Sequence, residues 1–362
     1  MTLTVIYPQI PGAGSPERLD HVLRGGLNGI EYEMFKDMDE LPDLRGRKIL
    51  FVIPIGPYGI NPDYSRLLYR LRSTPGMLSG CVSAILIDGE CEYYTKSAAT
   101  ELAFAVNLAG SDVVGRPVVE GTGSLTNFRV QAKLLGVDLK TAYRAACVDL
   151  VMRLMSSKPV KKERPVLLTL HASNYRTSNT MQLWAGVRER LNSSFEIREI
   201  GLRNGTVSDC SGCPYTMCIH FGEAGRCFYG GMMQDEVWPA VLKCDALMMI
   251  CPNYNDALSA NLTAFINRLT GLFRQKRFYD KALFAIIVSG YSGGDIVARQ
   301  LIGGLNMNKS FYLPANFAMM ETANDPGEAL TLPGIEERMD NFAGNVRDKL
   351  LLGKENPGDI PE

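Results

Sequence analysis

Ala172-Ser173-Asn174-Tyr175-Arg176-Thr177-Ser178-Asn179-Thr180 stands between an apolar run and a stretch of helical periodicity, and the architecture of the chain can be worked out from it. The run before it, Pro165-Val166-Leu167-Leu168-Thr169-Leu170, is continuous rather than alternating, as expected of a strand buried on both faces. After it, Met181, Leu183, Trp184, Val187 and Leu191 recur at helical spacing. A hydroxyl- and amide-rich loop therefore opens onto a helix N-terminus, where unpaired N–H groups and the positive end of the macrodipole favour an anion such as phosphate. Ser173, Ser178, Asn179 and Thr180 add side-chain donors, and Arg176 adds a charge. The loop lacks the Gly-Lys-Ser/Thr of a Walker loop and the Gly-x-Gly-x-x-Gly of a dinucleotide fingerprint. The same residue types also lead the ranking of ordinary helix N-caps, so the loop alone leaves both readings open.

Composition narrows the field. At 362 residues the chain is too long for one ordinary core, and two domains are expected. A hydrophobic content of 46%, a charged content of 21% and 35 glycines describe an α/β protein with many strand-to-helix turns. The net charge of −1 and the lack of a dense Lys/Arg stripe argue against a nucleic-acid partner. No apolar run reaches the length of a membrane span, and Met1-Thr2-Leu3-Thr4-Val5 does not read as a signal peptide, which sets the expectation of a cytoplasmic protein. Nine cysteines, an odd number without secretory context, argue against a disulfide framework and turn attention to metal or redox chemistry for the clustered ones.

Residues beyond the loop alternate strand and helix in a doubly wound pattern. Strands are expected near 164–171, 195–202, 245–252, 282–289 and 310–320, and helices near 179–192, 235–243, 258–273, 294–306 and 334–351. The first half reads as a worn copy of the same plan. Val52-Ile53-Pro54 parallels Ile250-Cys251-Pro252, Leu68-Tyr69-Arg70-Leu71 falls on Ile266-Asn267-Arg268-Leu269 at the same offset, and Ala84 through Gly89 parallels Ala285 through Gly290. Its first loop, Pro11 through Glu17, lacks the Ser-Asn-Thr finish and puts Glu17 where an anion would sit. The polar, charged stretch 156–163 reads as a linker. The expected organisation is thus residues 1–157 as a degenerate domain without cofactor and 158–362 as the ligand-binding domain.

The second half resembles the flavodoxin-like NAD(P)H-dependent FMN reductases and iron–sulfur flavoproteins. Ser173, Asn179 and Thr180 match the phosphate loop of that family, while Ala172, Asn174 and Tyr175 depart from it. Further landmarks follow in family order: a Cys-rich stretch, then Ile250-Cys251-Pro252-Asn253-Tyr254, Phe265-Ile266-Asn267-Arg268, and Ser289-Gly290-Tyr291-Ser292-Gly293-Gly294. The resemblance spans roughly residues 164–350. It implies an α/β fold of two tandem flavodoxin-like doubly wound domains, each with a five-stranded parallel sheet of order 2-1-3-4-5.

The resemblance also implies a site. Ser173, Tyr175, Arg176, Ser178, Asn179 and Thr180 would take the phosphate of FMN. Pro252, Asn253, Tyr254 and Asn255 would pass along the isoalloxazine. Ser289, Gly290, Tyr291 and Gly293 would bring backbone N–H groups to the pyrimidine edge of the ring. FMN rather than FAD is expected, with NAD(P)H as co-substrate and no protein acid or base required, since flavin carries the hydride chemistry.

Cys210, Cys213, Cys218 and Cys227 lie within eighteen residues on a Gly-containing loop, a set that could hold a 4Fe–4S cluster or a zinc ion. The four-residue second gap departs from the compact C-x2-C-x2-C of the iron–sulfur relatives, and the alternative is a metal-free cover over the substrate side. Cys81, Cys91, Cys147, Cys244 and Cys251 read as small core residues, and His171 as structural.

The expected function is an FMN-dependent oxidoreductase that moves hydride from NAD(P)H to a flavin, quinone, other small acceptor or redox protein. The alternative is an electron-transfer flavoprotein with FMN and an iron–sulfur cluster and no nicotinamide use. Neither membrane nor nucleic acid is expected as a partner. The first half is expected to stand in for a second subunit, as a pseudo-dimer within the chain, with homo-oligomerisation left open.

Overall fold

The computed structural model of the chain describes residues 2–12, 16–158, 160–173 and 178–352. It falls into two compact units. The first comprises Met1–Lys158 together with Leu301–Asn316, and the second comprises Pro159–Gln300 and Phe317–Glu362.

The first unit runs β1 (Leu3–Ile6), α1 (Glu17–Gly26), β2 (Tyr32–Phe35), β3 (Lys48–Ile55), α2 (Pro62–Ser73), β4 (Val82–Gly89), α3 (Thr95–Leu108), β5 (Asp112–Gly121), α4 (Arg129–Leu135) and α5 (Leu139–Ser156). Its strands pair in parallel in the order β2-β1-β3-β4-β5. β3 is buried along all its length because Ile49 through Ile53 are apolar on both faces, the pattern of a central parallel strand. Asn61 starts α2 by accepting from the N–H groups of Asp63 and Tyr64, while its amide donates to the Pro54 carbonyl at 2.8 Å, tying helix start to strand end. α5 lays Tyr143, Cys147, Leu150, Val151 and Leu154 into the core. It approaches α1 at Gly26, where a Cβ would stand 2.5 Å from Cys147 Sγ.

β5 is an edge strand, and the excursion Leu301–Asn316 covers part of it. Val113 and Leu313 form an antiparallel bridge with bonds of 2.8 and 2.9 Å. Asp112 accepts from Tyr312 Oη and the Ala315 N–H, both at 2.7 Å, and Asn306 Nδ2 donates to the Val114 carbonyl. An exposed edge presents unpaired backbone groups, and these bonds satisfy several of them.

The second unit runs β6 (Val166–His171), α6 (Asn179–Leu191), β7 (Glu196–Gly201), α7 (Tyr215–Glu223), α8 (Trp238–Lys243), β8 (Ala246–Pro252), α9 (Ala260–Gln275), β9 (Ala282–Ser289), α10 (Gly294–Leu301), β10 (Ala318–Thr322) and α11 (Ile335–Leu350). The sheet is parallel, ordered β7-β6-β8-β9-β10, which is again 2-1-3-4-5. Leu183, Trp184 and Val187 of α6 and Met339, Phe342 and Val346 of α11 bury against Met248, Ile250, Phe284 and Ile286 of the sheet.

The fold class expected from the sequence is the one observed. Two details differ. The last strand is Ala318–Thr322 rather than 310–320, because 301–316 is engaged at β5. A helix, α7, forms inside the cysteine stretch. No helix among the described residues is long and apolar enough to cross a membrane.

Candidate functional site

In an open doubly wound sheet the carboxyl ends of the strands flank a crevice where the strand order reverses. In the second unit that crevice is a cleft of about 400 Å³ bounded by Ser178, Asn179 and Thr180 after β6, Pro252, Asn253 and Tyr254 after β8, Val288 and Gly290 at the end of β9, and Ala323, Asn324 and Pro326 after β10. Four loops far apart in sequence thus meet on one ligand-sized space.

At the α6 end, Ser178 caps the helix by accepting from the Met181 N–H at 3.3 Å. Ser173 Oγ donates to Ser178 Oγ at 3.1 Å, and Ser178 Oγ lies 3.4 Å from Thr180 Oγ1, so three hydroxyls gather at the helix start. The side chain of Asn179 turns elsewhere. Its Nδ2 donates to the Ala323 and Asp325 carbonyls at 3.3 and 2.9 Å, and its Oδ1 accepts from the Gly327 and Ala329 N–H groups at 3.0 and 3.2 Å. With both amide groups so engaged, Asn179 pins the loop after β10, and as the first residue of α6 it carries one of the orphan backbone donors of a helix start. Tyr175 and Arg176 lie outside the described residues.

Asn253 organises the opposite wall. Its Nδ2 donates to Ser289 Oγ at 3.1 Å, the Ser292 carbonyl at 3.0 Å and Asp256 Oδ1 at 3.3 Å, while its Oδ1 is buried with no partner. Gly293, at φ 88°, allows this: a Cβ there would lie 2.1 Å from Asp256 Oδ1 and 2.9 Å from Asn253 Nδ2. Ser289 is buried outside the lining and meets it through two lining residues, its Oγ accepting from Asn253 Nδ2 and its carbonyl from the Ala323 N–H at 2.9 Å. Tyr254 is exposed at the rim; Asn255, at φ 53°, forms the exposed turn behind it, and Tyr291 is exposed outside the lining.

The wall formed by Ala323, Asn324 and Pro326 was not expected from sequence. Its signal is the turn-rich Ala323-Asn324-Asp325-Pro326-Gly327 directly after a strand. Glu328 Oε2 holds it by accepting from the Asn324 and Asp325 N–H groups at 2.6 and 2.9 Å.

His171, last in β6, is 7% exposed, with Nε2 3.6 Å from Glu199 Oε1. His171 foremost, and then Trp184 Nε1 donating at 2.8 Å, holds the Glu199 carboxyl down at about 2. A depressed carboxyl contributes stability that is present above its ordinary value of 4.5 and lost as pH falls toward 2. The Glu199→Gln variant should therefore lie below wild type in urea midpoint at neutral pH, with the gap shrinking as pH falls through that window. A gap constant with pH would show that the pair contributes no linkage.

Cys210, Cys213, Cys218 and Cys227 all line one smaller cavity of about 130 Å³ between the cysteine loop and α9. They do not converge on a coordination centre: among the described residues no group of three or more His, Cys, Asp or Glu could hold a metal ion. The donor set therefore does not fit a 4Fe–4S cluster or zinc as it stands, and no step is routed through one.

In the first unit the corresponding sheet edge is occupied differently. Arg18, second residue of α1, donates through Nε and Nη2 to Asp88 Oδ2 and Oδ1 at 3.0 and 2.7 Å, through Nη1 to the Gly123 carbonyl at 3.0 Å and through Nη2 to the Gly89 carbonyl at 3.0 Å. Tyr143 Oη donates to Asp88 Oδ2 at 3.0 Å. Asp88 is buried, and Gly89, which follows it, ends β4.

The model of the NADPH-dependent FMN reductase family matches residues 165–325, the stretch that holds the lining of the cleft apart from Pro326. Among solved structures, the NAD(P)H:quinone oxidoreductase from Methanothermobacter marburgensis is similar at 15% identity and TM-score 0.41, over 51% of this chain and 98% of that one. An FMN-dependent NADH-azoreductase from Bacillus anthracis, solved with FMN, is similar at 12% identity and TM-score 0.33, over 50% and 99%. Likenesses of this strength say nothing about function. No curated protein matches the chain in sequence.

Proposed function

We propose that the second unit binds one FMN in the cleft and acts as an NAD(P)H-dependent oxidoreductase that passes the electrons to a small acceptor. The observation that carries this reading is the meeting of the hydroxyl-bearing helix start, the Asn253 wall and the loop after β10 on one cleft whose lining, apart from Pro326, lies inside the residues that match the reductase family.

The residues present suit the cofactor. The hydroxyls of Ser173, Ser178 and Thr180 and the first N–H groups of α6 would hold a phosphate. The buried, unpartnered Oδ1 of Asn253 would accept from an N–H of a flat ring. Tyr254, exposed at the rim, offers an aromatic edge to the same ring. FMN supplies the hydride chemistry when bound, so the protein's part is to bind, orient and limit access. The first unit is expected to hold no cofactor of its own, because the Arg18–Asp88 pair and the acidic first turn of α1, Glu17 and Asp20, stand at its sheet edge.

Protein purified with excess FMN and desalted should show flavin absorption at one FMN per chain, and NADH or NADPH should bleach it anaerobically. Two FMN per chain would remove the assignment of the first unit. Absence of flavin, or a bound flavin that neither nicotinamide reduces, would remove the proposed activity.

A further inference from the structure

The cavity under the cysteine loop shares no lining residue with the cleft. Its most unusual wall is Arg268 of α9, only 4% exposed. Nη1 donates to Ser208 Oγ at 3.2 Å and Nη2 to the Gly230 carbonyl at 2.6 Å, so two nitrogens anchor the two ends of the loop. Nε is buried with no partner, and among the described residues no carboxylate pairs with the guanidinium. A buried cation without a counter-charge is costly, and an anion in the adjoining space relieves that cost.

The rest of the lining tells what kind of anion. Besides the four thiols, Met217, Phe221, Phe228 and Tyr229 give it soft and aromatic surface that suits a ring, while Arg226, a second cation, and the polar Ser211, Asn267 and Thr270 complete the lining. The volume of about 130 Å³ is close to the roughly 150 Å³ apolar cavity known to take a benzene ring. Phe221, Phe228 and Tyr229 stand edge to face at 5.6 and 5.2 Å between centroids, and Phe228 is 60% exposed, which gives the cavity an aromatic, open-sided rim.

We propose that this cavity, which the sequence suggests as a metal site, is a binding pocket for a single-ring organic anion of the aryl carboxylate kind, with Arg268 facing the charge and the cysteine loop enclosing the ring. The proposal does not depend on the cofactor reading of the cleft.

The test uses the full chain, with and without FMN, and sodium benzoate against neutral benzamide as probes in thermal denaturation and calorimetry. Benzoate should bind and raise the midpoint, benzamide should bind at least tenfold more weakly, and FMN should leave the difference in place. Arg268→Gln should abolish the discrimination. Since that change also loosens the anchors at Ser208 and Gly230, Met217→Trp serves as a second variant that keeps the charge and fills the space, and it should lose benzoate as well. Equal binding of the two probes, no binding of benzoate, loss of its effect when FMN is present, or stoichiometric iron with sulfide in anaerobically prepared protein would each overturn the proposal.

Discussion

Alanine in place of Ser178, Asn179 and Thr180 together should weaken FMN binding by about two to four powers of ten. Two hydroxyls that would bond a charged phosphate are removed, each worth about 1.5–3 kcal/mol. The third change acts differently, through the loop that Asn179 holds with four hydrogen bonds. Asn179→Ala alone should therefore speed amide exchange across 323–329 in protein free of flavin, while Ser178→Ala and Thr180→Ala should not. Fluorescence titration of FMN and exchange mass spectrometry separate the two contributions. A triple variant with wild-type affinity would mean that the phosphate lies elsewhere.

The other large effect belongs to the first unit. Arg18→Ala should destabilise it by about 3 kcal/mol, because Asp88, 5% exposed, would be left buried without its counter-ion. Arg18 is itself 27% exposed, which places the cost at the lower end for a broken buried pair. Arg18→Met combined with Asp88→Asn should recover most of the loss, since the amide oxygen still accepts from Tyr143 and no charge remains. Exchange rates in β4 and α5 report on this unit directly. If Arg18→Ala leaves them unchanged, the pair is ornamental and cannot be what fills the sheet edge.

Much of the architecture was readable because its causes are local. The apolar run of β6, the spacing of Leu183, Trp184 and Val187, and the Ser178 cap each lie within one turn or one strand, and chain order then limits how such units can be wound. The cleft was half readable for the same reason: loops after β6, β8 and β9 end recognisable strands. The wall at 323–326 was missed because its strand is five residues long and only partly buried. Asn179 reads as a ligand in sequence, and its actual partners lie nearly 150 residues away, beyond the reach of any local pattern. The cysteines illustrate the opposite limit, since spacing suggests a metal while three-dimensional placement gives a cavity facing Arg268.

The excursion Leu301–Asn316 bears on how such a chain could be taken apart or have arisen. A gene fragment ending at residue 158 encodes every strand of the first sheet, yet it omits the backbone that bonds Val113 and the groups that satisfy Asp112. Such a fragment would carry a raw strand edge open to pairing with another chain. Neither half can be excised by a single cut, so shuffling or splitting of the gene has to move residues 301–316 with the first half or supply a substitute for them.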